Sequence, residues 1–236
     1  MITLDVLKAR VGKDAWESAR LEAWRSAPQT GSIERWERAA DENMEPFESV
    51  RDALDQSTSE ADSAAALVAL YTGIYRELPS YGILFDLFHK CPYERMVPQA
   101  RESLWSFVRE MLSAEEDALA EPVSYSMWCG FFEDPSTVDE AWSMLVSDES
   151  SPRLLRRILP ASGPVPFPLK NALYDRLIGD RSWHDDIFRS LLFSATDVFG
   201  DFDREAARGV YLKLTLGAIE EADIQVLEAA LAGASR

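Results

Sequence analysis

Apolar residues recur at intervals of three and four along nearly the whole 236-residue chain, and this period limits the fold more than any other feature. Such intervals place side chains on one face of an α-helix, whereas the two-residue alternation of a half-buried strand is hard to find here. The clearest examples are Trp16 and Trp24, with Arg20 midway between them; Trp36, Ala40 and Met44; Leu104, Phe107, Val108 and Met111; and Leu169, Ala172, Leu173 and Leu177. The sequence predicts an all-α fold of about 11 or 12 short helices.

Sequence signals for helix N-termini divide the chain into these helices. Ser113-Ala-Glu-Glu116 has the pattern of a capping box, and Ser182-Trp-His-Asp185 is a weaker version of it. The segment 159–168 contains four prolines and predicts a non-helical connector. We therefore expect one helical domain over residues 1–236, with a candidate subdomain boundary at 159–168.

Two segments resemble the second helix of HEAT-type repeats, in which Pro or Asp precedes a helix that carries a small residue, then Arg, then an apolar stripe. They are Pro98-Gln-Ala-Arg-Glu-Ser-Leu-Trp105 and Asp203-Arg-Glu-Ala-Ala-Arg-Gly-Val-Tyr211. The resemblance implies an irregular α-solenoid that binds other proteins along a concave face. A compact multi-helix bundle is the alternative architecture.

The charge balance narrows the range of partners. The chain has 41 acidic and 24 basic residues, which gives a formal net charge of −17. Because non-specific nucleic-acid binding needs Lys and Arg to neutralise phosphates, this balance disfavours direct binding to nucleic acid, and it equally disfavours anionic membranes. A basic protein is the partner that the charge favours.

Targeting and cysteine signals point to a soluble, cytoplasmic protein. The amino-terminal segment lacks the apolar core of a secretion signal, and the most apolar stretch, Ala64 to Tyr75, is shorter than the roughly 20 residues that span a bilayer. Cys91 and Cys129 are too few for a disulfide framework, so we expect buried, reduced thiols. No cofactor motif is present, and we predict none.

One segment departs from the rest of the chain. Glu110 to Glu149, here called the acidic tract, contains eleven acidic residues and no Lys or Arg, with aromatic residues interleaved among the charges. Carboxylates beside aromatic anchors suit a basic partner, because charge steers encounter and buried rings hold the complex. The predicted partner-binding residues are Glu115, Glu116, Asp117, Trp128, Glu133, Asp134, Asp139, Glu140 and Trp142. A solvated helix exterior is the alternative reading of the same charges.

The function predicted from these features is that of a non-enzymatic, acidic protein-interaction module. The concrete form we favour is a bacterial immunity or antitoxin-like inhibitor that binds a basic toxin or effector. An adaptor or scaffold in a larger assembly is a further alternative, which differs mainly in the partner.

An enzymatic alternative depends on the chain's two histidines. The dipeptide His184-Asp185 resembles the central pair of the HD-domain phosphohydrolases, an all-α family. The resemblance implies a metal held by His89, His184, Asp185 and either Asp201 or Asp203. The non-metal reading places Asp185 and Asp186 in the first turn of a helix, and it makes Asp197 to Asp203 a turn in which Gly200 supplies backbone freedom and Asp203 caps the next helix.

Overall fold

A computed structural model describes residues 3–26, 50–55, 63–132 and 134–233, and the side chains of Ser26, Trp128 and Cys129 are outside that description. The described residues form helices, turns and loops without a strand, which confirms the all-α prediction. The predicted stripe of Trp36, Ala40 and Met44 lies outside these residues. None of the described helices is long and apolar enough to cross a bilayer.

The chain divides into two compact units, Met1–Ser126 and Met127–Arg236. The helices that begin in the first unit are α1 (Leu4–Val11), α2 (Lys13–Ser26), a helical segment over 50–55, α3 (Ala64–Glu77), α4 (Tyr81–Lys90), a 3-10 turn (Tyr93–Arg95), α5 (Pro98–Ser113) and α6 (Asp117–Met127). Helix α3 is central in this unit, because it packs against α1, α4 and α5.

The second unit is built around a different central helix. Its elements are a π-helical turn (Trp128–Phe132), α7 (Val138–Leu145), α8 (Pro152–Ala161), α9 (Phe167–Leu177), a 3-10 turn (Arg181–Trp183), α10 (His184–Thr196), α11 (Arg204–Tyr211) and α12 (Glu221–Ala232). Helix α10 packs against α8 and α12, and α11 packs against α9 and α12.

The segment 159–168 lies inside the second unit and is only partly a connector. Pro160 falls within the last turn of α8, and Pro168 falls within the first turn of α9, where a missing N–H group leaves no helical hydrogen bond unmade. The non-helical link is therefore residues 162–166. The prolines fix the ends of two neighbouring helices, and the unit boundary follows Ser126.

Two predicted stripes are confirmed in the first unit. Leu104, Phe107, Val108 and Met111 are all buried on α5. The indole N–H groups of Trp16 and Trp24 both donate to Glu77, the first to its carboxylate and the second to its carbonyl oxygen, at 3.0 Å each. Because both indoles contact one residue of α3, they lie on the same side of α2, as their spacing predicted.

The helix start predicted at Ser113 is wrong. Helix α5 runs through Ser113, Ala114 is its C-cap, and α6 begins only at Asp117. The reason is tertiary, since Met111 and Leu112 are buried at the end of α5 and keep the chain helical as far as Ser113 itself. The two segments that resemble HEAT repeats do begin helices, because Pro98 is the first residue of α5 and Asp203 is the N-cap of α11. The repeat itself stays a prediction.

Candidate protein-interaction site

The acidic tract is shared between the two units, since their boundary follows Ser126. In the first unit, Glu115, Glu116 and Asp117 are exposed where α5 joins α6. In the second unit, Asp139 is exposed on α7, while Asp134 and Glu140 are half-buried. Glu133 lies outside the described residues, as does the side chain of Trp128.

Most of the described aromatic residues of the tract belong to the core. Phe131 and Phe132 are buried, and Trp142 is 5% exposed and packs edge-on against Phe132 with ring centroids 6.0 Å apart. Trp142 shares the buried face of α7 with Val138, Ala141 and Leu145. The prediction that Trp142 forms part of an exposed binding surface is therefore wrong, because its helical position places it on the face that packs inward.

The fold also brings basic residues to the tract that its own sequence lacks. Arg76 on α3 pairs with Glu110 at 2.6 Å, and Arg176 on α9 pairs with Asp148 at 2.9 Å. Both pairs are solvent-exposed and contribute little to stability. They nevertheless reduce the local excess of negative charge at the two ends of the tract.

A row of partly exposed aromatic rings lies beside the tract in the first unit. Tyr81, Phe85 and His89 stand four residues apart on α4, with Tyr81 and Phe85 centroids 6.1 Å apart and Phe85 stacked on His89 at 6.5 Å. Tyr125 of α6 packs edge-on against Tyr81 at 4.8 Å. The Phe85 ring is 49% exposed, and His89 is also exposed. One aromatic residue of the acidic tract thus joins a row that the linear sequence does not show.

The same face of α6 carries carboxylates. Asp117, Glu121 and Tyr125 are four residues apart, so they follow one another along one side of the helix. Asp117 is exposed, and Glu121 and Tyr125 are half-buried. We call this set the aromatic–acidic surface: Tyr81, Phe85, His89, Asp117, Glu121 and Tyr125.

A polar network anchors α4 on its inward side. The Tyr71 hydroxyl of α3 donates to the Asp86 carboxylate, and Lys90 forms ion pairs with Asp86, at 3.1 Å, and with Asp55. Burial raises the pKa of Tyr71 above its usual value, and the hydrogen bond to Asp86 adds to the effect. Tyr71 therefore stays protonated as a donor, and α4 is fixed to α3 and to the helical segment 50–55.

The residues of the metal-site alternative make other contacts. The His184 ring accepts a hydrogen bond from the Thr215 N–H at Nδ1, 2.8 Å, so its Nε2 donates to the Ile178 carbonyl oxygen, 2.9 Å. Both ring nitrogens are thus occupied, and His89 stacks on Phe85 in the other unit. Among the described residues no group of three or more His, Cys, Asp or Glu side chains could hold a metal ion.

Asp185 and Asp186 lie in the first turn of α10, as the non-metal reading predicted. The Asp185 carboxylate accepts from the backbone N–H groups of Gly217 and Ala218 at 2.8 Å each, and these bonds lower its pKa. Burial raises the pKa of Asp186, although Arg156 and Arg189 oppose that shift. Asp185 therefore joins the start of α10 to the chain that follows α11, while Asp186 pairs with Arg156 of α8 at 3.3 Å.

The sequence patterns did not predict the fully buried lysine of α9, Lys170. This side chain is 0% exposed on α9, and its Nζ donates to the Gly163 carbonyl at 2.8 Å, to Ser194 Oγ at 2.7 Å and to the Asp201 carbonyl at 2.9 Å. Burial lowers the pKa of Lys170 to about 7, while the carboxylates of Asp201 and Asp197 oppose the shift. Its position three residues after Phe167 and three before Leu173 is the signal, since it places a lysine in a core stripe.

The 2.7 Å distance between Lys170 Nζ and Ser194 Oγ is that of an amine base beside a serine nucleophile, but the other contacts of Ser194 do not fit that role. The Ser194 hydroxyl donates to the Ser190 carbonyl at 2.9 Å, away from the amine, and Ser194 is buried. Ser190 in turn contacts the hydroxyls of Tyr174, at 2.7 Å, and Ser162, at 3.0 Å, inside the same buried cluster. Because a nucleophile must reach its substrate, this cluster is structural: it ties α8, α9 and α10 together.

No protein-family model matches the chain, and neither a curated protein nor a solved structure matches it.

Proposed function

We propose that this chain is a non-enzymatic protein-interaction module that binds a basic protein partner through the aromatic–acidic surface of its first unit. The observation that carries the proposal is the Phe85 ring. It is half-exposed in a row of aromatic rings, and the row meets the acidic face of α6 through Tyr125.

The chemistry of the surface fits Lys or Arg side chains better than any other ligand. A guanidinium group can lie on the face of Tyr81, Tyr125 or Phe85, a contact that contributes about 0.5–2 kcal/mol. Asp117 and Glu121 then attract the same cation, and the formal net charge of −17 steers a basic protein towards the chain from a distance. The network of Tyr71, Asp86 and Lys90 holds α4 in place, which limits the entropy lost on binding.

The form of this function that we favour is an immunity or antitoxin-like inhibitor, in which the bound partner is a basic toxin or effector. The inhibitor form predicts that an equimolar amount of the chain abolishes the partner's activity. An adaptor or scaffold would bind the same kind of surface and leave that activity intact, so an activity assay of the complex separates the two.

Charge reversal tests the proposal. The probe is the basic protein that co-purifies with the chain from its native host, and the measurement is its dissociation constant at several salt concentrations. Changing Asp117 and Glu121 to Lys should weaken binding by about tenfold or more and flatten its salt dependence. Phe85→Ser should weaken binding with the salt dependence unchanged, because it removes an anchor and no charge.

The matched control is the pair Glu102→Lys and Asp223→Lys, which alters net charge equally at exposed residues outside the surface. This control should retain most of the affinity. The proposal is wrong if the retained protein is not basic, or if reversal at Asp117 and Glu121 affects binding no more than the control does. A matching reversal of Asp134, Asp139 and Glu140 measures what the second-unit part of the acidic tract contributes.

A further inference from the structure

Two large apolar side chains are exposed next to each other in the second unit. Val198 is 88% exposed and Phe199 is 63% exposed, in the loop that joins α10 to α11. Single apolar residues at a protein surface are common, but an adjacent pair that includes an aromatic ring offers a contact area of the kind used in binding. We call residues Asp197 to Asp203 the Val–Phe loop.

The Val–Phe loop is fixed in shape by its own hydrogen bonds. Asp197 accepts at its carboxylate from the Phe199 N–H, 3.1 Å, and at its carbonyl from the Gly200 N–H, 3.2 Å. Asp203 caps α11 by accepting from the Ala206 N–H at 3.0 Å. The predicted turn and the predicted role of Asp203 as a cap are therefore confirmed. The prediction that Gly200 supplies backbone freedom is not, because its φ angle is not positive.

The loop is also joined to the body of the second unit. The Asp201 N–H donates to the Gly163 carbonyl at 3.0 Å, the Asp201 carboxylate accepts from the Phe167 N–H, and Lys170 Nζ donates to the Asp201 carbonyl at 2.9 Å. Gly200 packs so closely that a Cβ atom there would lie 2.3 Å from the Ser194 carbonyl oxygen. Val198 and Phe199 thus stand on a braced backbone, and little backbone conformational entropy remains to be lost when they bind.

The charged residues of the loop itself are all acidic, and the first basic residue after it is Arg204 at the start of α11. Asp197, Asp201 and Asp203 flank Val198 and Phe199, and the sequence from residue 190 to 203 contains no Lys or Arg. The nearby amine of Lys170 is fully buried and bonded beneath the loop. A ligand that approaches this surface therefore meets apolar area bordered by carboxylates.

We propose that the Val–Phe loop is a second docking surface, whose occupant is a basic protein segment with a large apolar residue between Lys or Arg residues. The apolar residue packs on Phe199 and Val198, and the cations meet the flanking carboxylates. A second copy of this chain is a poor occupant, because it carries the same net charge of −17 and presents the same acidic loop. This docking surface belongs to the second unit, and binding to it does not depend on the aromatic–acidic surface of the first unit.

Selection from a random peptide library displayed on phage, with the full chain as bait, tests this proposal without knowledge of the natural partner. We expect enrichment of peptides with a large apolar residue between basic residues. Phe199→Asp should weaken the binding of these peptides by about tenfold or more, since it removes the anchor. Raising the salt concentration should also weaken binding to the wild-type chain.

Leu212→Asp is the matched control, since Leu212 is 76% exposed in the same unit but is followed by Lys213 and lies outside the loop. It should leave peptide affinity unchanged. Three results would overturn the proposal: the absence of basic–apolar peptides after selection, equal binding to wild type and Phe199→Asp, or a chain dimer that Phe199→Asp dissociates. Peptides that lose affinity with Phe85→Ser and keep it with Phe199→Asp would support the first-unit surface and count against this one.

Discussion

The two candidate surfaces are fixed to their units by opposite arrangements of charge. Under the aromatic row, the carboxylate of Asp86 meets the amine of Lys90 and the hydroxyl of Tyr71, so positive and negative charges are paired. Under the Val–Phe loop, the amine of Lys170 meets two carbonyl oxygens and one hydroxyl, and none of its hydrogen bonds is to a carboxylate.

The second arrangement is the more sensitive to change. Lys90 retains contact with solvent, with 22% of its side chain exposed, so water can replace part of a lost ion pair. Lys170 has no such contact, and each acceptor left without its amine would lose a bond in a dry interior. The loop therefore depends on its buried support more strictly than α4 depends on its own.

The largest effect should come from Gly200→Ala. A Cβ atom at this position would lie 2.3 Å from a backbone oxygen of Ser194, so the loop or α10 must move. We expect a loss of about 3–4 kcal/mol in the free energy of unfolding, measured by urea denaturation. Gly209→Ala on α11, where a Cβ atom meets nothing within 4 Å, should instead be neutral or stabilising by up to about 1 kcal/mol. Equal effects of the two substitutions would show that the loop has no fixed shape.

Lys170→Met should have the next largest effect. The apolar stem is kept and the amine is removed, which leaves Gly163, Ser194 and Asp201 with acceptors that lose their donor. We expect a loss of about 3 kcal/mol at neutral pH. Lys213→Met, at an exposed lysine of the same unit, should change stability by less than about 0.5 kcal/mol.

Asp86→Asn should lower the free energy of unfolding by less than Lys170→Met does, if α4 depends less strictly on its support than the Val–Phe loop depends on Lys170. Asparagine keeps an acceptor for the Tyr71 hydroxyl and loses the charge that attracts Lys90. We expect a loss of about 1–2 kcal/mol in the same denaturation assay. Glu110→Gln, which removes an exposed ion pair with Arg76, should cost less than about 1 kcal/mol. A larger loss for Asp86→Asn than for Lys170→Met would reverse the comparison.

Lys170 should also give the stability of the chain a pH dependence. Its pKa is lowered to about 7 in the folded chain, whereas an unfolded lysine titrates near pH ~10.4. Between these values the unfolded chain binds more protons, so the cost of burying the charge falls as the pH rises. The stability of wild type relative to Lys170→Met should therefore increase by up to about 1.4 kcal/mol per pH unit above pH ~7. A difference that stays constant with pH would contradict the assignment.

Local sequence patterns predicted the helices and several of their ends. The spacing of apolar residues identified the buried face of α5, and Asp203 was recognised as a cap from its place before Arg204. These features depend on residues within one or two helical turns. The pattern of α9 was only partly right. Ala172 is exposed, and the buried set is Phe167, Lys170, Leu173, Tyr174 and Leu177.

The candidate sites depended on contacts between distant segments, which one sequence does not show. The lack of basic residues in the acidic tract was real, but Arg76 and Arg176 reach it from other helices. The position of Trp142 among acidic residues predicts a surface residue, whereas the packing of α7 buries it. No local pattern marks Phe85, because it is linked to Tyr125 of α6 only through Tyr81, its neighbour on α4. The sequence does place Lys170 in a core stripe, but it does not show the three acceptors of its amine.

Lys170 joins residues that are widely separated along the chain, so the Val–Phe loop acquires its shape only late in folding. Its acceptors lie 7, 24 and 31 residues away along the chain, so the complete set exists only after α9, α10 and the segment to Asp201 have been synthesised and packed. Contacts of this kind form late, since the chain entropy of closing long loops must be overcome first. The outward display of Val198 and Phe199 is thus a property of the finished second unit, and a nascent or partly unfolded chain would not present it to a partner.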